Sequence, residues 1–282
     1  MALLPTLLNV GHLNLFANWN WKDVYSPFAR IYYVESGSAK VHIYNKVYTL
    51  RPGNLYLIPP FTRHDDTCDD HFSLYYVHFY ESNTNKSSIF DRFNFPFEVA
   101  ATDVLTTSLF SRILTINPNR HLPQIDPVLY DNMPKLSQFA AENKRMPLHS
   151  IIETQGILLQ LLACFLQMAT LKAAYTDDRI NKCLAYIQAH TDKSITLAEL
   201  ANTSCLSEDH LIRLFKKDVG CTPLKYINGK KMERAQLLLL TTDLSVREIA
   251  MEFSIDNISY FNRMFKQHTG NTPSEYRNTR HS

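Results

Sequence analysis

The sequence predicts an α+β chain of two parts: short strands closed into a small barrel or sandwich with helices after them, then an all-helical C-terminal domain. Three observations predict it. Residues 1–100 are dense in aromatic and β-branched side chains broken by turn residues. From about residue 103 the apolar spacing lengthens to a helical period. A stretch near the end also occurs twice. R-L-F-K-K-D-V-G-C-T-P-L-K-Y-I at 213–227 returns at 263–277 as R-M-F-K-Q-H-T-G-N-T-P-S-E-Y-R, with Arg, Phe, Lys, Gly, Thr, Pro and Tyr identical in place. Two of the chain's seven glycines fill the same slot of that repeat.

Composition bounds the function. Apolar residues make up 45% of the 282 and charged ones 20%, a globular balance with a real core. A net charge of +2 is not polybasic, so a nucleic-acid role must rest on where positive charge sits. The five cysteines, Cys68, Cys164, Cys183, Cys205 and Cys221, are irregularly spaced and form no C-x-x-C, which points to reduced thiols in a cytoplasmic compartment. The N-terminus lacks a basic leader with a clean apolar core, so no signal peptide is expected. The most apolar run, 157–171, is shorter than a membrane span and carries glutamines; it is read as a buried helix with no membrane partner. There is no G-x-S-x-G elbow, phosphate-binding loop or H-E-x-x-H, so nothing argues for nucleophilic catalysis.

Strands are expected within 30–50, at 54–60 and at 72–80, punctuated by Gly37, Asn45-Lys46 and Pro52-Gly53. Helices are expected near 103–115, 128–143 and 148–172. The domains are read as a barrel over 1–125, a helical region over 126–173, a polar linker at 174–179 and a helical domain over 180–282.

The repeat has a consistent grammar. Thr196 with Glu199, and Ser245 with Glu248, are capping boxes that open a short helix. After a break, Ser207 caps a second helix whose Leu211, Leu214 and Phe215 form a buried stripe; Phe261, Met264 and Phe265 do so in the other copy. Gly220 and Gly270 end these helices, and Thr222-Pro223 and Thr272-Pro273 open the next. Two helix-turn-helix units result, bridged by a helix at about 223–240. With the stripes buried, Asp209, Ile212, Arg213 and Lys216 point outward in one unit, with Lys217 beside them, and Ser259, Asn262, Arg263 and Lys266 in the other. Arg pairs a guanine edge bidentately, Asn an adenine edge, and Lys suits phosphate.

With these motifs, residues 180–278 resemble the DNA-binding domain of the AraC/XylS family of bacterial transcription regulators. The resemblance implies one chain inserting two recognition helices into successive major grooves of promoter DNA. By position, base contacts fall on Asp209, Ile212, Arg213, Ile258, Ser259, Asn262 and Arg263. Backbone contacts fall on Lys216, Lys217 and Lys266 and on the helix N-termini at Ser207 and Asn257. One departure is Ser254-Ile255 where the family usually has Gly-Phe, which implies some backbone strain; another is Gly229 inside the bridging helix, which costs roughly 1 kcal/mol relative to Ala.

Residues 28–64, and Y-Y-V-H-F further on, are similar to the cupin-like sensing barrel of the same family. Helices after such a barrel commonly pair two subunits; the Leu-rich stretch 157–166 is either a dimer face or packed on the chain's own barrel. Of the aromatic residues, Trp19, Trp21, Tyr32, Tyr44, Tyr56 and Tyr76 suit stacking on a sugar, although strand aromatics usually serve the core. Trp19, Trp21, Lys22, Arg30, Tyr32, His64 and Tyr76 form the candidate ligand set. His42, His64, His71 and His78 lie on or near strands, but the His-x-His pattern of a metal cupin is missing; no metal and no cofactor are expected.

The expectation is therefore a homodimeric, cytoplasmic regulator, an activator that contacts RNA polymerase and answers to a small polar effector. Two rivals stay open: a metal-dependent cupin enzyme fused to a DNA-binding domain, and a regulator controlled by a protein partner.

Overall fold

The computed structural model describes residues 3–82, 88–101, 104–127 and 133–278 and divides into two units. The first takes residues 1–82 and 92–171, the second 83–91 and 172–282. The barrel and the helices after it thus belong to one unit rather than to separate regions, and the division falls a few residues ahead of the expected linker. The part of the expected 128–143 helix at 128–132 lies outside the described residues.

In the first unit, β1 (Pro5–Phe16), β8 (His71–Glu81), β3 (Ala29–Gly37), β6 (Asn54–Ile58) and β10 (Glu98–Ala100) form a five-stranded antiparallel sheet in that order. A four-stranded sheet runs β2 (Asn20–Val24), β7 (His64–Thr67), β4 (Ala39–Ile43), β5 (Lys46–Leu50). Short α1 (Ile89–Arg92) precedes β9 (Phe93–Asn94), which pairs with β11 (Thr170–Leu171). β1, twelve residues long, is a strand that the periodicity does not announce: Leu7, Leu8, Asn9 and Val10 are all buried, so no two-residue alternation survives. Gly11 lies beneath the Tyr76 ring, where a Cβ would come within 2.4 Å of its hydroxyl.

Helices α2 (Val104–Ile116), α3 (Met133–Asn143) and α4 (Leu148–Leu166) complete this unit. Arg120 is 3% exposed; it donates to the carbonyls of Leu7 and Leu8 and to Asn143 Oδ1, and lies over the Phe139 ring. Asn117 Nδ2 donates to Thr154 Oγ1, and Arg112 pairs bidentately with Glu153, tying α2 to α4. α4 starts nine residues before the apolar run read from the sequence, so by length and composition it is long enough to cross a membrane, contrary to the expectation. One stripe of it is buried: Ile157, Leu158, Leu161, Leu162 and Phe165. Half of the Leu-rich segment 157–166 is thus core, while Leu148, Ile152, Leu159 and Leu166 stay exposed.

The second unit holds α5 (Asp178–Ala189), α6 (Leu197–Ser204), α7 (Glu208–Val219), α8 (Pro223–Thr241), α9 (Val246–Glu252), α10 (Ile258–Thr269) and α11 (Pro273–Asn278). Ile180, Cys183, Ile187, Leu200, Leu211, Phe215 and Ile227 make one core. Ile249, Phe253, Phe261 and Phe265 are buried in the other half, beside Met232, Ala235 and Leu239 of α8. Asp91 joins this unit through Lys230 at 2.9 Å, which also pairs with Glu233.

Candidate nucleic-acid interface and barrel interior

The repeat becomes legible once each identity is located. Both capping boxes form, with Thr196 and Ser245 accepting from the Glu199 and Glu248 backbones. Gly220 (φ 87) and Gly270 (φ 85) end α7 and α10 in the left-handed region, where a side chain would be strained. Thr222 and Thr272 cap α8 and α11 by accepting from Lys225 N and Glu275 N, and Pro223 and Pro273 follow. Phe215 meets Tyr226 edge-on at 5.7 Å, and Phe265 meets Tyr276 the same way at 5.3 Å. Gly, Thr, Pro, Phe and Tyr therefore all have structural jobs in both copies.

Arg and Lys do not. Arg213, Lys216 and Lys217 on α7, and Arg263 and Lys266 on α10, are exposed. Among the described residues no ion pair holds Arg213, Lys216, Lys217 or Arg263; Lys266 helps lower the Glu275 carboxyl, whose main cause is the Thr272 backbone N–H. Asp209, Ile258 and Ser259 are exposed too, whereas Ile212 is half-buried. Leu214 is half-buried rather than part of the closed stripe. Asn262 is half-buried, with a carboxamide oxygen that is sequestered and has no partner. Ser207 Oγ and Asn257 Oδ1 accept from His210 N and Tyr260 N, so their side chains cap the helices and leave backbone N–H groups at the N-termini for an anion.

Two turn residues hold left-handed backbone without being glycine: Cys205 (φ 54) and Ser254 (φ 53). The strain expected at Ser254 is present, and its Oγ donates to Asp192 O at 3.0 Å. The Cys205 conformation was not foreseen. The two turns also differ in length. Thr196 and Ser245, the caps of the first helices, are 49 apart, while Ser207 and Asn257, the caps of the second, are 50 apart. The turn after α9 thus carries one extra residue.

The barrel interior gathers a different chemistry. Asn9, His78 and Arg30 are cross-strand neighbours in one row of the five-stranded sheet, and Gly11, Tyr76 and Tyr32 form the next row on that face. From the other sheet come His64 and Asp66, with Trp21 opposite Asp66. All of these side chains except that of Trp21 are buried. Arg30 Nη2 donates to Ser26 Oγ at 2.6 Å and the guanidinium lies over Phe28. Burial and Arg30 lower His64 to about 3, and it donates through Nδ1 to Thr62 O, which makes Nε2 an acceptor. Burial, with Arg30 and His64, also lowers His78 well below its ordinary value. Burial raises Asp66 to about 7 against the pull of Arg30. Both Asn9 amide atoms, Trp21 Nε1, His64 Nε2 and Asp66 Oδ1 are buried without a hydrogen-bond partner.

Arg30, His64, Tyr32 and Tyr76 thus lie in this interior, as does Trp19, which packs on Phe72 at 4.8 Å. Lys22 does not: its side chain is 69% exposed and pairs with Asp65. Tyr44 is 87% exposed at a hairpin tip, and Tyr56 is spent on Arg51 N and Glu98. The sequence reading missed Asn9, Asp66 and His78 as ligand candidates; a polar residue amid apolar strand neighbours was the available signal. Among the described residues no three His, Cys, Asp or Glu gather as metal ligands. Ser73 Oγ and Glu35 Oε2 both meet His12 at Nε2, at 3.0 Å each, so the acid does not orient the imidazole from its far nitrogen as a Ser-His-acid relay requires.

A family model for an AraC-like ligand-binding domain matches residues 14–112, and one for a helix-turn-helix domain matches 200–279. The chain is 26% identical over 263 residues to an uncharacterized HTH-type transcriptional regulator, YisR, of Bacillus subtilis (strain 168), covering 91% of this chain and 87% of that one. It is 33% identical over 102 residues to the arabinose operon regulatory protein of Escherichia coli (strain K12), covering 36% and 35% of the two, and 30% identical over 143 residues to the xylose operon regulatory protein of the same strain, covering 51% and 35%. It spans about a third of the length of those two sugar-operon regulators.

Proposed function

Because the chain belongs to the AraC/XylS family of DNA-binding transcriptional regulators, we propose that it is a cytoplasmic activator that reads two successive major grooves with α7 and α10. The observation that carries this is the pair Arg213/Lys216 and Arg263/Lys266. Every other identity of the repeat serves packing or capping, whereas these four side chains are exposed. Arg213 and Arg263 contact base edges, with Asp209, Ile212, Ile258, Ser259 and Asn262; Lys216, Lys217, Lys266 and the helix N-termini at Ser207 and Asn257 contact phosphate. RNA polymerase is the partner through which activation acts, and the role is regulatory rather than catalytic.

The barrel takes a small, uncharged, hydroxyl-rich effector of the sugar kind. Its unpartnered atoms are three acceptors and two donors, which suits hydroxyl groups and disfavours an anion. The arabinose and xylose operon regulators point the same way. The chain works as a homodimer. On α4, Leu148, Ile152, Leu159 and Leu166 stand exposed on one side, with exposed Ala163 and half-buried Gly156 between them. That small-and-large apolar seam at helical spacing fits a second copy of itself.

The test is selection of binding sites from random duplex DNA by the full-length chain, followed by calorimetry with a panel of pentoses, hexoses and polyols. Enrichment of two motifs about one helical turn apart, with one sugar changing affinity for that DNA, supports the reading. A chain that enriches no sequence sinks it.

A further inference from the structure

Lys231 lies in the middle of α8, the helix that joins the two helix-turn-helix units, and it is 5% exposed. A buried ammonium is costly unless its donors are satisfied. Here Nζ donates to two backbone carbonyls, Lys193 O at 2.7 Å and Phe253 O at 2.8 Å. Lys193 lies in the loop that leads from α5 into the first helix-turn-helix, and Phe253 is the C-cap of α9 in the second helix-turn-helix. The negative end of the α9 dipole therefore faces the charge. Next to this, Ser254 Oγ donates to Asp192 O. Three hydrogen bonds thus join the approach to the first unit, the bridging helix and the turn of the second unit. Ser254 holds a left-handed backbone there.

We infer that Lys231 is a positioning residue: it fixes the offset between α7 and α10, and so the spacing of DNA half-sites the chain accepts. This rests on the reading that both helices contact bases. Neither recognition helix touches Lys231 through these bonds; each unit keeps its own core, Leu211 and Phe215 in one, Phe261 and Phe265 in the other. Without the ammonium, the two carbonyls lose their shared donor, and only the Ser254 bond to Asp192 and the apolar side of α8 still tie the units. Moving one half-site by a base pair shifts it about 3.4 Å and turns it about 34°, a displacement that a fixed junction cannot follow.

The experiment uses the full-length chain and the two-part site it selects from random duplex DNA. Spacers between the halves are shortened or lengthened by one or two base pairs, and a further duplex carries one half only. The wild type should lose about tenfold or more in affinity per base pair of displacement. Lys231→Met, which keeps the length of the side chain without its donors, should lose less than about threefold across the series, with one-half binding unchanged. A folded Lys231→Met that keeps the wild-type spacing penalty overturns the inference, and so does one that loses one-half binding. Should Lys231→Met not fold, Ser254→Gly decides: it suits the left-handed backbone and removes the bond to Asp192. A reduced spacing penalty supports the junction, and an unchanged one refutes it. A wild type that selects a single motif sinks the paired reading, and this inference with it.

Discussion

Arg213 and Arg263 occupy the same position on two copies of one helix: each lies six residues after its N-cap, Ser207 or Asn257, and each precedes an exposed lysine by three. Replacing either by Ala should cost about 1–3 kcal/mol of DNA binding and relax base preference in one half-site only. Lys266→Ala should weaken all sequences alike and reduce the slope of log affinity against log salt by about one. Affinity titrations on the selected site and its single-base variants, at several salt concentrations, separate the two roles.

The proposed homodimer seam predicts a change of assembly without a change of fold. Leu159→Lys and Ile152→Glu put charge on an already exposed stripe, so each chain should stay folded while the dimer dissociates, with dissociation constants raised at least about a hundredfold. Sedimentation at several concentrations reads this. A dimer that survives both substitutions locates the interface elsewhere.

Asp66 makes stability pH-dependent in a predictable direction. Its carboxyl is raised to about 7 in the folded chain, so between its unfolded value and 7 the folded state binds the extra proton, and Asp66 contributes stability that is lost as pH rises through 7. His64 acts in the opposite sense: lowered to about 3, it favours the folded state more as pH rises from 3 to its ordinary value. Asp66→Asn should therefore gain on the wild type as pH goes from 5 to 8, by on the order of 2–4 kcal/mol. Denaturant unfolding at the two pH values measures it. An advantage that shrinks over that range contradicts the buried, proton-holding Asp66.

Arg120→Met should lower the stability of the first unit by about 3 kcal/mol, since three of its bonds satisfy Leu7 O and Leu8 O at the edge of β1. Loss of protection at the amides of β1 before the other strands, followed by hydrogen exchange, is the expected signature.

The helical unit was legible in the sequence because its signals are local: caps, glycine stops and a stripe, each written twice. What escaped there was also local but ambiguous. Cys205 and Ser254 adopt backbone that glycine usually supplies, and Lys231, a charged residue, reads as surface until the two carbonyls appear. The barrel was harder for a different reason. β1 is buried on both faces around Leu7–Val10, so its alternation is erased, and Asn9 looks like a turn residue among leucines. His78 and Asp66 meet Arg30 only through strand register and sheet stacking. Lys22 lies outside the barrel interior because one residue along a strand reverses the face, and it pairs with Asp65 on the outer face.

The two units follow one another along a single chain with no two-fold axis between them, so the molecule has a polarity, and the extra residue in the turn after α9 adds to the difference between its ends. Two identical units in tandem would present the same surface twice; these two present Asp209 and Ile212 in one and Ser259 and Asn262 in the other, on turns of unequal length. On the proposal that both units contact bases, a single chain would bind a two-part site in one orientation only, with no partner needed to set it. Inverting the site in place leaves its two motifs intact but turns the bound protein end for end, so that the face turned toward the transcription start becomes the face turned away.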